Sequence, residues 1–165
     1  MLYQVGQVLG SSVETLEACW DIFRGSYKQE IMEGRLTRAM VWTAAGQRLK
    51  GAPFHYGVGR RLVAVGREDG FIGGALIARD CGVSTQVEWI GVNPDSRRQG
   101  IGSLLLDFEK DRVSSQWNRR HSVTVGSEGL SWTKERTEFL QACGFFVFQI
   151  EGEMTIGVFD AEDAS

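Results

Sequence analysis

The sequence predicts an α+β domain on a mixed central β-sheet of six to seven strands flanked by about four helices, and three observations carry that prediction. Stretches with a two-residue apolar period and stretches with a helical period succeed one another along all 165 residues. A strand-helix-strand crossover between 85 and 126 demands a parallel pair, while hairpin signals elsewhere demand antiparallel ones. No Ser/Pro linker, repeat or low-complexity tract interrupts the chain, so residues 1–165 read as a single domain.

The elements follow in order. Leu2–Val8 suits an opening strand. Ser11-Ser12-Val13-Glu14 has the capping-box pattern, and Val13, Leu16, Trp20 and Phe23 then recur at helical spacing, which predicts a helix over 12–25. Lys28–Thr43 holds a second helix weakened by Gly34, and Gly46–Gly59 is a loop without a period. Leu62–Gly66 and Phe71–Ala78 form a hairpin around the Asp69-Gly70 turn signal. Thr85–Val92 alternates cleanly, with Thr85, Val87, Trp89 and Gly91 on one face and Gln86, Glu88, Ile90 and Val92 on the other. A helix from Gly100 to about Gln116 carries Ile101, Leu104, Leu105 and Phe108 on one stripe. Ser122–Gly126 is a short strand, Thr133–Cys143 a helix, and Phe145–Ile150 with Met154–Phe159 a closing hairpin.

Composition excludes several function classes. Lys and Arg total 18 against 21 Asp and Glu, so the formal charge of -3 creates no general field for nucleic acid or an anionic membrane. Any anion site must be local. The longest apolar run, Phe71–Ala78, is far below the ~18 residues of a membrane span. The start, Met-Leu-Tyr-Gln-Val-Gly, lacks the charged and apolar regions of a secretory signal, which makes the cytoplasm the expected location. Cys19, Cys81 and Cys143 are odd in number and far apart, and are read as reduced, mostly buried thiols. His55 and His121 have no partner at a metal-ligand or nucleophile-triad spacing, so no metal is expected.

Chemistry concentrates where the strand Val87-Glu88-Trp89-Ile90-Gly91-Val92 runs through Asn93-Pro94-Asp95-Ser96 into Arg97-Arg98-Gln99-Gly100-Ile101-Gly102-Ser103. A helix opening there leaves backbone N–H groups without intrahelical partners, and its dipole adds positive potential, so an anion is the natural ligand. Gly100 and Gly102 remove side chains that would keep a diphosphate away from those donors, and Arg97 and Arg98 add charge at the rim. A Walker loop would need Gly-x-x-x-x-Gly-Lys-Ser/Thr, which is absent. A dinucleotide fingerprint would need a third glycine where Leu105 stands.

Arg97-Arg98-Gln99-Gly100-Ile101-Gly102 resembles the acyl-CoA motif of the GNAT superfamily of N-acetyltransferases, Arg/Gln-x-x-Gly-x-Gly/Ala. The preceding Ile90-Gly91-Val92-Asn93-Pro94-Asp95 is similar to that family's approach to the loop, and Phe139-Leu140-Gln141-Ala142-Cys143-Gly144-Phe145 resembles its helix ending in Gly-Phe. The resemblance covers about 60–160 well and the first 60 residues in general layout. It implies the GNAT fold and acetyl-CoA as acyl donor. The backbone of Ile90, Gly91 and Val92 would then pair with the pantetheine arm, and Gln99, Gly100, Ile101, Gly102 and Ser103 would bind the diphosphate. Thr133 stands where the family often has a cofactor-facing Asn, and Leu140 where it has a proton-donating Tyr. Leu140 cannot donate a proton, so a substitute must come from Tyr3, Tyr27 or Tyr56, from water, or be unnecessary.

The resemblance also implies that Glu88 accepts the proton of an attacking amine, although a sheet-face carboxylate paired with a cation fits the position equally. The expected activity is acetyl transfer to a primary amine by direct attack in a ternary complex. A non-catalytic acyl-CoA-binding module, or a transferase with an unusual acceptor such as a nucleobase, are the alternatives. The acceptor, and whether the chain is a monomer or a homodimer, are not legible in the sequence.

Overall fold

The computed structural model describes residues 2–10, 12–115, 122–128, 134–150 and 154–160. The elements are β1 (Tyr3–Val8), α1 (Val13–Ser26), α2 (Lys28–Met32), α3 (Arg38–Ala44), β2 (Arg60–Arg67), β3 (Ile72–Cys81), β4 (Ser84–Val92), a 3-10 turn (Pro94–Ser96), α4 (Ile101–Ser114), β5 (Ser122–Glu128), α5 (Lys134–Ala142), β6 (Phe146–Ile150) and β7 (Met154–Asp160). The strands run in the order β1-β2-β3-β4-β5-β7-β6. β4 and β5 are parallel, while β1–β2, β2–β3, β5–β7 and β6–β7 are antiparallel, so the sheet is mixed as expected. The chain forms two compact units, neither continuous in sequence: Met1–Arg79 with Trp89–Leu105, and Asp80–Glu88 with Leu106–Ser165.

In the first unit, α1 begins one residue later than the capping pattern suggested. Ser12 is the N-cap: its Oγ accepts from Thr15 N–H at 3.3 Å and donates to Glu14 at 3.2 Å. Leu16, Cys19, Trp20, Ile22 and Phe23 then form a buried stripe in one cluster with Leu62, Ala64, Ala75 and Ile77 of β2 and β3. Each large side chain so buried contributes roughly 1.5–3 kcal/mol. The expected second helix is two short ones. Gly34, at φ 76°, lies between them, and Leu36, fully buried, pins the connection into the core. Asp69 closes the β2–β3 hairpin by accepting from Phe71 N–H and from the Arg67 guanidinium. These two partners, the Phe71 amide foremost, hold its carboxyl below the usual range.

In the second unit, the parallel register runs from Ser84↔Ser122 to Val87↔Val125. Leu140 of α5 is buried, and an added Cβ at Gly157 of β7 would lie 3.0 Å from its Cδ1. Lys110 Nζ donates to the carbonyl of Cys143 at 2.6 Å, capping the end of α5. The buried stripe of α4 is rotated from the one expected. Leu106, Glu109 and Val113 are fully buried here, whereas Leu104 and Phe108 are only partly covered. A carboxylate tolerates that burial because Arg112 Nε donates to Glu109 at 3.2 Å.

Candidate active site

The last turn of β4 and the first turn of α4 both lie in the first unit, joined by a connection built largely from its own hydrogen bonds. Asn93 N–H donates to Gly73 carbonyl at 2.7 Å, its Oδ1 accepts from Asp95 N–H at 3.0 Å, and its carbonyl accepts from Ser96 N–H at 2.8 Å. Ser96 is buried, 3.4 Å from Tyr3 Oη, and that hydroxyl donates to Gln99 Oε1 at 2.9 Å. The opening strand thus fixes the turn through Tyr3. Arg98 and Gly100 flank Gln99 with φ 65° and 76°. Left-handed backbone costs an ordinary L-residue about 1–2 kcal/mol, so the turn keeps at Arg98 a conformation its side chain disfavours.

Arg97, Arg98, Gln99 and Gly100 are exposed, Ile101 and Gly102 are buried, and Ser103 is partly covered. No acidic residue stands in the first turn of α4, and among the described residues neither Arg97 nor Arg98 has a carboxylate partner. Leu104 N–H donates to Gly100 carbonyl as the first intrahelical bond, which directs the N–H groups of the preceding residues outward from the helix start. An added Cβ at Gly100 would meet nothing within 4 Å. The turn can therefore receive an anion: open backbone donors, a helix N-terminus and two uncommitted guanidinium groups fit a diphosphate.

On β4, Gly91 is buried, and a Cβ there would stand 2.9 Å from both Ile22 Cγ2 and Ser26 Oγ of α1. Its glycine lets helix and strand approach. Ile90 and Val92 are partly covered. Ile90 N–H donates to Tyr27 Oη at 3.0 Å, and the same hydroxyl donates to Ile90 carbonyl at 2.8 Å. Glu88, partly covered, is the final residue of β4 within the second unit. A separate cavity of about 450 Å³ lies against α1, lined by Ala18, Asp21, Phe71 and Asn93 among others.

The model of an acetyltransferase (GNAT) domain matches residues 58–147, more than half of the 165-residue chain. The chain belongs to the GNAT acetyltransferase family. It is accordingly an enzyme of the N-acetyltransferase class. No curated protein matches it in sequence. Three solved structures show how far the GNAT fold extends along it. A GNAT-family protein from Desulfovibrio desulfuricans is 13% identical with TM-score 0.73, covering 97% of this chain and 99% of its own. An aminoglycoside 6'-N-acetyltransferase complexed with coenzyme A is 13% identical with TM-score 0.67, covering 96% and 97%. A GNAT acetyltransferase from Elizabethkingia anophelis with acetyl-CoA bound is 12% identical with TM-score 0.62, covering 96% and 97%.

Within this GNAT chain, Ile90 to Val92 and Arg97 to Ser103 share one compact unit, whereas Glu88 falls in the other. Thr133 lies outside the described residues, as does His121. Arg112 donates to Asp80, Thr85 and Glu109. Leu140 packs in the core. The sequence offers Tyr3 and Tyr27 only as substitute proton donors; their contacts with Gln99 and Ile90, 96 and 63 residues away, are not foreseen because no local pattern marks them. Among the described residues, no helix is long and apolar enough to cross a membrane, and no group of three or more His, Cys, Asp or Glu could hold a metal.

Proposed function

We propose that the chain transfers an acetyl group from acetyl-CoA to a primary amine, by direct attack of the amine on the thioester in a ternary complex. The observation that carries this reading is the exposed Arg97–Gly100 turn opening α4, whose two arginines have no carboxylate partner among the described residues and whose helix has no acid in its first turn. The backbone of Gln99 to Ser103, with Arg97 and Arg98, would hold the diphosphate. The β4 backbone at Ile90, Gly91 and Val92 would receive the pantetheine arm as an added strand. The acyl donor brings a carbonyl already activated as a thioester.

The protein's own task is then to position the amine and to take its proton, since a free alkylammonium has a pKa of roughly 10 and only the neutral amine attacks. Glu88, two residues before Ile90, is assigned as the acceptor of that proton. A backbone N–H near Ile90 is assigned to polarise the thioester carbonyl as negative charge develops there. That coenzyme A and acetyl-CoA occupy structures of the same fold supports the donor, and an aminoglycoside N-acetyltransferase among them supports an amine acceptor.

The test is incubation with acetyl-CoA and a panel of amines, antibiotics, peptides with free N-termini and lysine peptides, following thiol release and acceptor mass together. An acceptor that gains about 42 Da while thiol release rises is the expected result. Acetyl-CoA binding with no acceptor-stimulated thiol release across the panel would defeat the amine assignment.

A further inference from the structure

One residue of β4 has both backbone polar groups taken by a side chain from another element. Ile90 donates to and accepts from the single hydroxyl of Tyr27, at 3.0 and 2.8 Å. In a strand, the N–H and C=O of one residue point to the same side, where a neighbouring chain would exchange two bonds with them. A phenolic hydroxyl is at once a donor and an acceptor, so it satisfies that pair as an amide of an added extended chain would. We propose that Tyr27 is a removable stand-in for the amide-bearing arm of the acyl donor: it seals Ile90 while the arm is absent and must leave before the arm can pair there. The inference rests on the preceding reading, in which Ile90 receives that arm.

The placement of Tyr27 suits a group that moves. It is the C-cap of α1 and the N-cap of α2, with φ -129° and ψ 48°, and belongs to neither helix. α2 has five residues, no side-chain hydrogen bond at its N-cap and no buried residue, whereas α1 buries five. So short a helix has little stability of its own, and carrying it outward with Tyr27 gives up only the partial cover that Tyr27 and Ile31 lend the core. The ring has separate contacts, edge-on to Trp89 at 5.0 Å between centroids and 6.5 Å from Phe23. A phenylalanine would keep these ring contacts and lose the two hydrogen bonds to Ile90. The seal also keeps the Ile90 N–H satisfied without the arm, since an unpaired backbone donor away from water is costly.

A seal of this kind lowers the apparent affinity for the arm by the fraction of molecules that are closed, and that fraction is what mutation can change. Calorimetry on the full chain compares wild type with Tyr27→Phe, using acetyl-CoA and 3'-phosphoadenosine 5'-diphosphate, the nucleotide half without the arm. Removing one competing hydrogen-bonded group should tighten acetyl-CoA about three- to tenfold and leave the nucleotide half within about twofold. Acetyl-CoA affinity that is unchanged or weaker, or equal tightening of both ligands, overturns the inference while leaving the function reading intact. Wild-type protein that binds neither ligand brings down the function reading, and the inference with it.

A second measurement needs no variant. In stopped-flow tryptophan fluorescence on wild type, the observed rate with acetyl-CoA should level off as concentration rises, limited by departure of Tyr27, while the rate with the nucleotide half rises linearly. Linear behaviour for both overturns the gate.

Discussion

At the scale of a single residue, the role proposed for Glu88 rests on the basicity of one carboxylate. Glu88→Gln keeps the size and hydrogen-bonding reach of the side chain but removes its basicity, so turnover should fall about 10²- to 10⁴-fold while the affinity for acetyl-CoA measured by calorimetry stays the same. Unchanged turnover would return Glu88 to a purely structural place on the sheet. The glycines around the site make a graded series. A Cβ at Gly74 would stand 2.6 Å from Ile101 Cγ2 and 3.1 Å from both Gly91 O and Leu105 Cδ1, all on fixed elements. At Gly91 the closest approach is 2.9 Å, and at Gly126 nothing lies within 4 Å. Overpacking of this kind costs roughly 1–3 kcal/mol. Denaturant midpoints should therefore rank wild type close to Gly126→Ala, then Gly91→Ala, then Gly74→Ala as the least stable. A Gly74→Ala protein as stable as wild type would mean that β3 and α4 are not packed as described.

Elements carry the site by how they begin and end. The Arg97–Gly100 turn depends on left-handed backbone at residue 100, with φ 76° and open space around it, so a substitution there acts through conformation rather than collision. Gly100→Ala should lose about 1–2 kcal/mol, and Gly100→Asn less, because asparagine tolerates that region better than alanine. Equal losses for both would point to sterics instead. This turn was legible in the sequence, since two glycines before an amphipathic run announce a helix opened by close backbone approach. The strands were legible for a similar reason: Thr85 and Val87 are buried and Gln86 and Glu88 less so, as a two-residue period requires. The split between α2 and α3 was not, because Leu36 anchors the connection by tertiary burial that no local pattern contains. Nor was the α4 stripe, where the fully buried Glu109 pairs with Arg112 three residues on. The sequence offers Tyr27 as a substitute proton donor, but its bonds to Ile90 were not legible, because a backbone partner leaves no mark in sequence.

At the scale of the whole molecule, the fold persists in solved structures only 12–13% identical to the chain, so it tolerates wide change in the side chains that build its interior. Cys19 shows what that interior demands of a group it encloses. It is fully buried on α1, and burial pushes its thiol from 9.0 up to about 12. The uncharged thiol is the form the core accepts. Below pH 9 both the folded and the unfolded chain hold this proton, so the thiol adds no pH dependence. Between 9 and about 12 the unfolded chain has released it while the folded one retains it, so unfolding liberates a proton and stability falls as pH rises. The slope from this one group approaches about 1.4 kcal/mol per pH unit. Cys19→Ala removes it, lowering stability at pH 7 through the cavity it leaves but flattening the decline above pH 9. Urea titrations of both proteins from pH 7 to 11 should therefore converge as pH increases. Curves that stay parallel across that range would show that Cys19 titrates as an ordinary exposed thiol, and would remove α1 from the core in which Ile22 and Gly91 meet.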